Sequence, residues 1–421
     1  MRSILTRPTE TIVPSRLGRS FRWLLAAAIV NNLGDGIVLA AGPLLVASQT
    51  NDPFLVSMAV LCESLPMLLF GVIGGTAADR FDRRRMVIGV NLCRAVALVV
   101  LVATIVSSTI NIGVVLIILF ILGTAETFAD SASSTFIPNL VARNDLGLAN
   151  SRMSGAFLLT NQLVAPPIGA FLFATGMAIP FAANAIFVVL GAVLVSRVVL
   201  TSRSEARERA GFVVETRDGI TWLLQHPPMR TLAVTIFTFN VTFGAAWSVL
   251  VLYATERLGM GPVGFGLLTT AVAVGGIVGV VSYGRLERRF SLGDIMRTGL
   301  IIETLTHLSL ALTTSSVVAL ATMVIFGAHA FVWGTTSDVV RQRAVPDELL
   351  GRVGGVYRVA IMGGIVIGTP IGGLLATVYG ITAPFWFGFF GSALLVAILW
   401  RRFDDIVHAG DEQEHHPVPA T

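Results

Sequence analysis

The strongest constraint on the fold is a series of twelve apolar runs, each about long enough to cross a lipid bilayer as a helix. The hydrocarbon core of a bilayer is about 30 Å thick and needs roughly 20 apolar residues in a helix. Strands of a membrane barrel would instead alternate apolar and polar residues over about ten positions. The sequence therefore predicts an all-α membrane protein with transmembrane helices near 22–47, 54–78, 86–107, 111–136, 150–175, 180–200, 229–254, 262–284, 293–313, 316–338, 352–378 and 382–401.

The composition excludes most soluble proteins. Only 13% of the 421 residues are charged and 54% are hydrophobic, whereas soluble globular proteins carry about a quarter charged residues. The chain could not cover its own surface in water, which excludes a soluble enzyme or a nucleic-acid-binding protein despite the net charge of +4. Both cysteines lie inside apolar runs, so no disulfide framework is implied. Because no nucleotide-binding or hydrolase signature is found, we expect no enzyme activity, no cofactor and no metal site.

The basic residues predict the orientation of the chain in the membrane. All 29 are arginines, and the cytoplasmic loops of membrane proteins carry an excess of basic residues. A cytoplasmic N-terminus puts 27 of the 29 on that side or just within it, leaving Arg257 in an opposite connection and Arg94 inside a span. Since the number of spans is even, both termini are expected in the cytoplasm of a multi-pass protein of the cell (inner, cytoplasmic) membrane.

The two halves of the chain resemble each other at a shift of about 203–205 residues. Residues 163–175 align with 366–378, so that Gly169 meets Gly372. Repeats related by an axis along the membrane normal are typical of secondary transporters, with the substrate site between them. The predicted organisation is a cytoplasmic N-terminal tail (1–21), a first six-helix bundle (22–200), a cytoplasmic linker (201–228), a second six-helix bundle (229–401) and a cytoplasmic tail (402–421).

Several motifs resemble those of a known transporter superfamily. Residues 75–84, GTAADRFDRR, resemble the GxxxDRxGRR signature of the major facilitator superfamily, with Asp82 in place of the usual glycine. The stretch APPIGA (165–170) is similar to a proline–glycine motif in helix 5 of drug antiporters. NNLGD (31–35) and LVARNDLGLANS (140–151) resemble the macrolide-efflux and siderophore-exporter branch. The resemblance implies the major facilitator fold and a drug:proton antiporter, although the helix-4 arginine of other antiporter branches is absent.

In the superfamily fold, the arginine-rich signature forms a latch on the cytoplasmic side. The resemblance places Asp79 beside the start of helix 11, and it pairs Arg83 with an acid low on helix 4, for which Asp130 has the right depth. The latch would hold the two halves together and favour the outward-open state. Its predicted residues are Gly75, Asp79, Arg80, Arg83, Arg84 and Asp130. The alternative is that these arginines only set the orientation of a basic loop.

Charged side chains inside the predicted spans are the next candidates, because an ionised carboxylate there must be paired, hydrated or protonated. Helices 1, 4, 7 and 10 line the cavity of the superfamily fold. The proton-coupling candidates are therefore Asp35 and Glu126, with Arg94 as an intramembrane counter-ion. The alternatives are a structural hydrogen bond from Asp35 to Asn31 or Asn32, and a plain ion pair between Glu126 and Arg94.

Helix 9 carries a further intramembrane acid. Glu303 and His307 lie one turn apart and can satisfy each other. Since helix 9 is peripheral in the superfamily fold, this pair is expected to be structural. His329 and Asp338 on helix 10 are weaker candidates, and Asp338 is expected to pair with Arg341.

Two further sets follow from the resemblance and from residue type. Helices 5 and 11 pair across the two halves of the superfamily fold, so their matched prolines and glycines favour a hinge or leak seal, with packing alone as the alternative. These residues are Pro166, Pro167, Gly169, Pro370, Gly372 and Gly373. The candidate substrate cavity is aromatic with few polar anchors, and comprises Asn31, Asn32, Asn161, Asn240, Phe243, Trp247 and Trp333. Such a surface suits hydrophobic or cationic molecules, unless the aromatic rings face lipid.

The function expected from these features is export of hydrophobic or cationic drug-like compounds in exchange for protons, by alternating access. Within the transporter class, the alternative is a dedicated siderophore or metabolite exporter. A different class is a non-transporting membrane receptor or assembly protein. The expected partners are a small-molecule substrate, protons and the lipid bilayer, without nucleic acid, and the protein is expected to be a monomer.

Overall fold

A computed structural model describes residues 14–133, 135–199 and 212–408. These residues form helices joined by short connections and contain no strand, which confirms the all-α prediction for the described part of the chain. We number the twelve principal helices in chain order: α1 Gly18–Gln49, α2 Pro53–Arg80, α3 Arg83–Val106, α4 Ile112–Ser133, α5 Arg143–Thr175, α6 Ile179–Val195, α7 Pro227–Trp247, α8 Pro262–Arg289, α9 Leu292–Leu312, α10 Ser316–Ala344, α11 Leu350–Tyr379 and α12 Ala383–Leu399. Shorter helices are Ser15–Leu17, Ile137–Leu140, Phe212–Gln225 and Arg402–His408.

Most of these helices can cross a membrane. Within the described ranges, nine are long and apolar enough to do so. Together, α7 and Leu250–Arg257 are also long and apolar enough, and these two segments meet at a bend of 44°. The apolar helices α6 and α12 have 17 residues each and occupy the positions of the sixth and twelfth predicted spans. The chain is therefore a multi-pass membrane protein.

Side-chain caps explain where several helices begin. The carboxylate of Asp82 accepts a hydrogen bond from the backbone N of Arg85 at 3.0 Å and caps α3. Ser291 caps α9 in the same way, with its hydroxyl accepting from the backbone N of Asp294 at 3.1 Å. Such caps satisfy N–H groups that have no partner within the helix. The cap gives a structural reason for an aspartate, instead of glycine, at position 82.

The α5 helix is interrupted in its middle. Residues Leu158–Val164 form a π-helical segment, and α-helical geometry resumes over Ala165–Thr175. Pro166 and Pro167 lie in the first turn of the second part. Because they have no N–H, they cannot donate to carbonyl oxygens of the preceding π-helical turn. By contrast, Pro370 lies inside the continuous helix α11. The two prolines of α5 therefore lie at a change of helix type, whereas the aligned proline of α11 lies within an unbroken α-helix.

The chain divides into two compact units, the first formed by Met1–Gln49 and Leu65–Arg207. In its described part, α1 packs against α5 and α6, and α3 packs against α4 and α6. Glycines allow these helices to approach closely: a Cβ at Gly36 would clash with the carbonyl oxygen of Asn161, and a Cβ at Gly169 would clash with that of Ile37.

The second unit is formed by Thr50–Ser64 and Glu208–Thr421. Its main packing pairs are α7 with α11, α8 with α10, and α9 with both α10 and α12. Along α11 a row of glycines faces the backbone of α7, and a Cβ on any of them would clash there. These glycines are Gly364, Gly368 and Gly372. Since Gly169 and Gly372 are aligned by the internal repeat and each packs on the first long helix of its own unit, the repeat is visible in the packing as well.

The first part of α2 belongs to the second unit. Residues 50–64 pack with residues of the second unit. The reason is a close contact: Gly373 of α11 leaves room for the side chain of Ser57 and the backbone of Phe54. In addition, the hydroxyl of Thr377 donates a hydrogen bond to the carboxylate of Asp52 at 3.3 Å.

Candidate functional site

The charged centre of the first unit is an ion pair between α3 and α1. Arg94 is only 4% exposed, and its guanidinium donates to the carboxylate of Asp35, which is 12% exposed. An unpaired charge would be costly at this depth. The acid that Arg94 contacts is Asp35, and the role of Arg94 as an intramembrane counter-ion stays a prediction. The alternative, a structural hydrogen bond from Asp35 to Asn31 or Asn32, stays untested.

Two acids of α4 lie close to the same guanidinium. Glu126 and Asp130 are within electrostatic reach of Arg94, and they are one helical turn apart, on one exposed face of α4. Two helices, α1 and α4, therefore place three carboxylates within electrostatic reach of one buried arginine of α3.

The predicted cavity asparagines have these contacts within their own units. The side chain of Asn31 lies against Gly191 of α6. Asn161, which is buried in the π-helical segment of α5, donates to the backbone oxygen of Asn32 at 3.3 Å. Asn240 donates to the oxygen of Ile236 on its own helix at 2.8 Å. The side chains of Asn31 and Asn161 therefore lie at contacts between helices of the first unit, and that of Asn240 bonds within α7. Their place in a substrate cavity stays a prediction.

The arginine-rich segment between α2 and α3 is tied to its own unit. Arg83 donates to the backbone oxygen of Ala78 at 3.0 Å, and Arg84 donates to the backbone oxygen of Ser196 at the end of α6. Gly75 has open space where a Cβ would lie, and Arg80 is exposed. The side chain of Asp79 lies outside the described atoms. The latch, including a pair between Arg83 and Asp130, stays a prediction.

The predicted aromatic residues cluster in the second unit. Phe243 packs against Trp247, with ring centroids 5.0 Å apart, and stacks on Phe326 at 5.9 Å. Phe239 stacks on Trp333 at 5.8 Å. Trp333 is 6% exposed, so it does not face lipid. Together these rings make an aromatic wall along α7 and α10.

A buried acid lies next to this wall. Glu303 accepts from His307 at 3.0 Å, which confirms the predicted pair on α9, and it also contacts His329 of α10 at 3.3 Å. The contact with His329 was missed because the sequence does not tell which face of α10 meets α9. The pair predicted between Asp338 and Arg341 is confirmed, at 2.8 Å.

Comparisons with known proteins agree with this architecture. The fold has the two-unit helical architecture of the major facilitator transporters. Residues 10–418 match the family described as transmembrane secretion effector (MFS_3), so the chain belongs to that major facilitator family. Its fold and family are those of transporters, which are not enzymes. The alternative of a non-transporting receptor or assembly protein is thereby set aside.

Several relatives extend over most of the chain. The multidrug efflux pump Tap of Mycolicibacterium fortuitum is 27% identical over 383 residues, covering 86% of this chain and 90% of that protein. The enterobactin exporter EntS of Shigella boydii serotype 4 (strain Sb227) is 23% identical over 397 residues, covering 91% and 93%.

Solved structures show the same fold at low identity. A mutant of the nucleoside transporter NupG has a TM-score of 0.75 at 10% identity, covering 91% of this chain and all of that one. A D-xylose–proton symporter has a TM-score of 0.71 at 17% identity, covering 90% and 97%. These likenesses concern the fold alone.

Proposed function

We propose that the protein exports hydrophobic or cationic drug-like compounds in exchange for protons. The observation that carries the proposal is the buried Arg94–Asp35 pair, which has Glu126 and Asp130 within electrostatic reach. The likeness of the whole chain to the multidrug efflux pump Tap supports the direction of transport and the kind of substrate.

The exchange of protons follows from the geometry of this cluster. When Asp35 takes up a proton, its bond to Arg94 weakens, and the guanidinium turns to the carboxylates of α4. When Asp35 releases the proton, the pair with Arg94 forms again. Because α1 and α3 are held together by that pair in one state only, proton uptake and release shift the balance between two arrangements of these helices. Asp35 and Glu126 are the proton carriers in this scheme, and Arg94 is the switching counter-ion.

The remaining predicted parts complete the proposal. Asp79 and the arginines of the α2–α3 segment act as a latch, and the α5 and α11 prolines and glycines allow alternating access. Three residues of the aromatic wall, Phe243, Trp247 and Trp333, receive the apolar part of the substrate. The monomer lies in the inner membrane with both termini in the cytoplasm, an orientation supported by the positions of the arginines.

A second candidate is export of one dedicated siderophore or metabolite. It is favoured by the likeness to the enterobactin exporter EntS, which covers even more of the chain than the likeness to Tap does. The two candidates share the proton-exchange cluster and differ in the range of molecules accepted.

Dye transport in everted membrane vesicles tests the proposal. Vesicles containing the protein are expected to accumulate a lipophilic cation dye when energised, and to lose it when an uncoupler is added. Asp35→Asn and Glu126→Gln are expected to abolish accumulation. Asp338→Asn is the matched control, because it removes an acid whose exposed pair with Arg341 lies at the end of α10. Uncoupler-insensitive accumulation would contradict proton exchange, and no accumulation of any member of a mixed panel would favour the dedicated exporter.

A further inference from the structure

Three helices of the first unit carry buried polar atoms that have no hydrogen-bond partner among the described residues. On α3 these atoms are Nε of Arg94 and both polar side-chain atoms of Asn91. On α1 and α6 they are Oδ1 of Asn31 and Oδ1 of Asn184. Buried polar atoms are almost always bonded to protein or to ordered water. This group of atoms therefore points to a ligand inside the first unit.

Asn91 lies on the buried side of α3, one helical turn before Arg94. A stripe of buried residues at the spacing of one helix face runs along α3 and comprises Val87, Asn91, Arg94, Leu98 and Leu101. Asn91 is 0% exposed, so its amide has no access to bulk water. Because its oxygen and its nitrogen both have no partner, exchanging the two by a turn of the amide would satisfy neither.

Two asparagines at the contact between α1 and α6 bring further oxygens to the ion pair. Asn31 lies one turn before Asp35 on α1, and its side chain packs against Gly191 of α6. In the opposite direction, the side chain of Asn184, which is 1% exposed, packs against Gly34, the residue before Asp35. Since α6 also packs against α3, asparagines from all three helices lie close to the ion pair.

The guanidinium of Arg94 binds Asp35 with only one arm of its fork. The carboxylate accepts a hydrogen bond from Nη2. The Nε–H bond points in the same direction as one N–H bond of Nη2, and in the described part of the chain it has no acceptor. A small molecule bound to Nε would therefore lie directly beside the carboxylate of Asp35.

Water is the ligand whose chemistry fits these atoms. Nε of Arg94 and Nδ2 of Asn91 are donors, whereas the amide oxygens only accept. A metal cation would be repelled by the guanidinium, and an anion would be repelled by Asp35. On α6 no titratable side chain occurs between Ile179 and Val195 to change this balance. Because a water molecule both donates and accepts, it can satisfy both kinds of atom.

We propose that ordered water bound by Asn91 and by Nε of Arg94 is the last link in the delivery of protons to Asp35. Asn91 is then a positioning residue, which acts through the water. This inference rests on the proposed function for the exchange of protons at Asp35. In the step, an O–H bond of the water breaks, its electron pair stays on the water oxygen, and the proton binds to the carboxylate. The oxygen regains a proton from hydronium, so the water is regenerated.

An experimental structure of the full-length protein, at a resolution that shows ordered water, tests the binding site. We expect water within about 3.2 Å of the amide of Asn91 and of Nε of Arg94. In Asn91→Leu, whose side chain has a similar size and no polar atom, this water is expected to be lost. The wild-type measurement depends on no variant and on no transport assay. Absence of ordered water at both groups in the wild type overturns the proposal.

Transport of ethidium into proteoliposomes, driven by an imposed pH gradient, tests the role in proton delivery. For Asn91→Leu we expect kcat to fall at least about tenfold, with KM for ethidium unchanged. The solvent deuterium isotope effect on kcat is expected to exceed that of the wild type, because proton delivery becomes rate-limiting. Asn91→Ser keeps a hydroxyl and leaves space for water, so it is expected to restore most of the rate and the wild-type isotope effect.

A matched control removes a buried polar group of the same unit that already has a partner. In Thr127→Val the lost hydroxyl is one that donates to the backbone oxygen of Gly123 on its own helix at 2.9 Å, so wild-type kinetics are expected. A folded Asn91→Leu variant with unchanged kcat overturns the delivery role. Equal losses of kcat in Asn91→Leu and Asn91→Ser, with an unchanged isotope effect, would show a structural role and overturn it as well.

The two measurements also separate this proposal from the proposed function. If ordered water lies at Asn91 while ethidium transport by the wild type ignores the pH gradient, the exchange of protons and its delivery step both fail, and the water site stands. If transport follows the pH gradient and no water is found, the proposed function stands and the water site fails.

Discussion

Removing the charge of Arg94 is expected to destabilise the protein more than removing the charge of its partner. Arg94→Gln leaves the carboxylate of Asp35, only 12% exposed, without its cation. Breaking one side of a buried ion pair costs about 3–5 kcal/mol. Coulomb's law gives a similar figure, about 4 kcal/mol for unit charges ~4 Å apart at an effective dielectric constant of ~20.

The converse change, Asp35→Asn, is expected to cost less. The carboxamide oxygen can still accept a hydrogen bond from Arg94, and the guanidinium keeps Glu126 and Asp130 within electrostatic reach. The expected loss is about 1–2 kcal/mol, in the range measured for weakened hydrogen bonds to charged groups. In the double variant, the buried carboxylate left by Arg94→Gln becomes neutral, so about 2 kcal/mol of stability is expected to return.

Unfolding of the detergent-solubilised protein by dodecyl sulfate, followed by tryptophan fluorescence, measures this order. The predicted ranking of unfolding free energies is wild type, then Asp35→Asn, then the double variant, with Arg94→Gln lowest. Equal losses for the two single variants, or a double variant as unstable as their sum, would refute the idea that one guanidinium serves several carboxylates.

Three further changes have defined outcomes. Asp79→Asn is expected to abolish dye accumulation while the protein still reaches the membrane, measured on the same vesicles by immunoblot; accumulation at the wild-type rate would rule out the latch. Gly372→Leu is expected to lower the unfolding free energy by about 1–3 kcal/mol because its side chain would overlap the backbone of Ala245. Gly276→Leu is the control, since a Cβ there has open space, and it should leave the unfolding free energy unchanged. Equal losses in the two variants would argue against close packing of α7 and α11. Asp82→Ala is expected to cost about 1 kcal/mol through the lost cap of α3, and an unchanged unfolding free energy would show that the cap contributes nothing.

The spans were predictable because membrane insertion imposes a length and an apolar character on each helix. The internal repeat was predictable too, since glycines that permit close approach leave a mark in the sequence. This explains why Gly169 and Gly372 occupy equivalent packing positions. The π-helical segment Leu158–Val164 was not predicted, because a change of hydrogen-bond register leaves no comparable pattern of residues.

The candidate site was predictable as a set of residues and less so as a set of contacts. Arg94, Asp35 and Glu126 stand out because charge is rare inside spans. Which acid touches Arg94 depends on the rotation of α1 and α4 about their axes, and that is decided by packing along the whole helix. The same reason explains why the contact of the Asn31 side chain with Gly191 of α6 was not predicted.

Coupling between substrate and protons is the central claim, and counterflow in proteoliposomes tests it most directly. The purified protein is reconstituted with a pH-sensitive dye enclosed, and a gradient of a lipophilic cation is imposed in the absence of a pH gradient. We predict that substrate moving down its gradient drives protons in the opposite direction, and that Asp35→Asn abolishes this proton movement. Substrate transport with no accompanying proton movement would contradict the account.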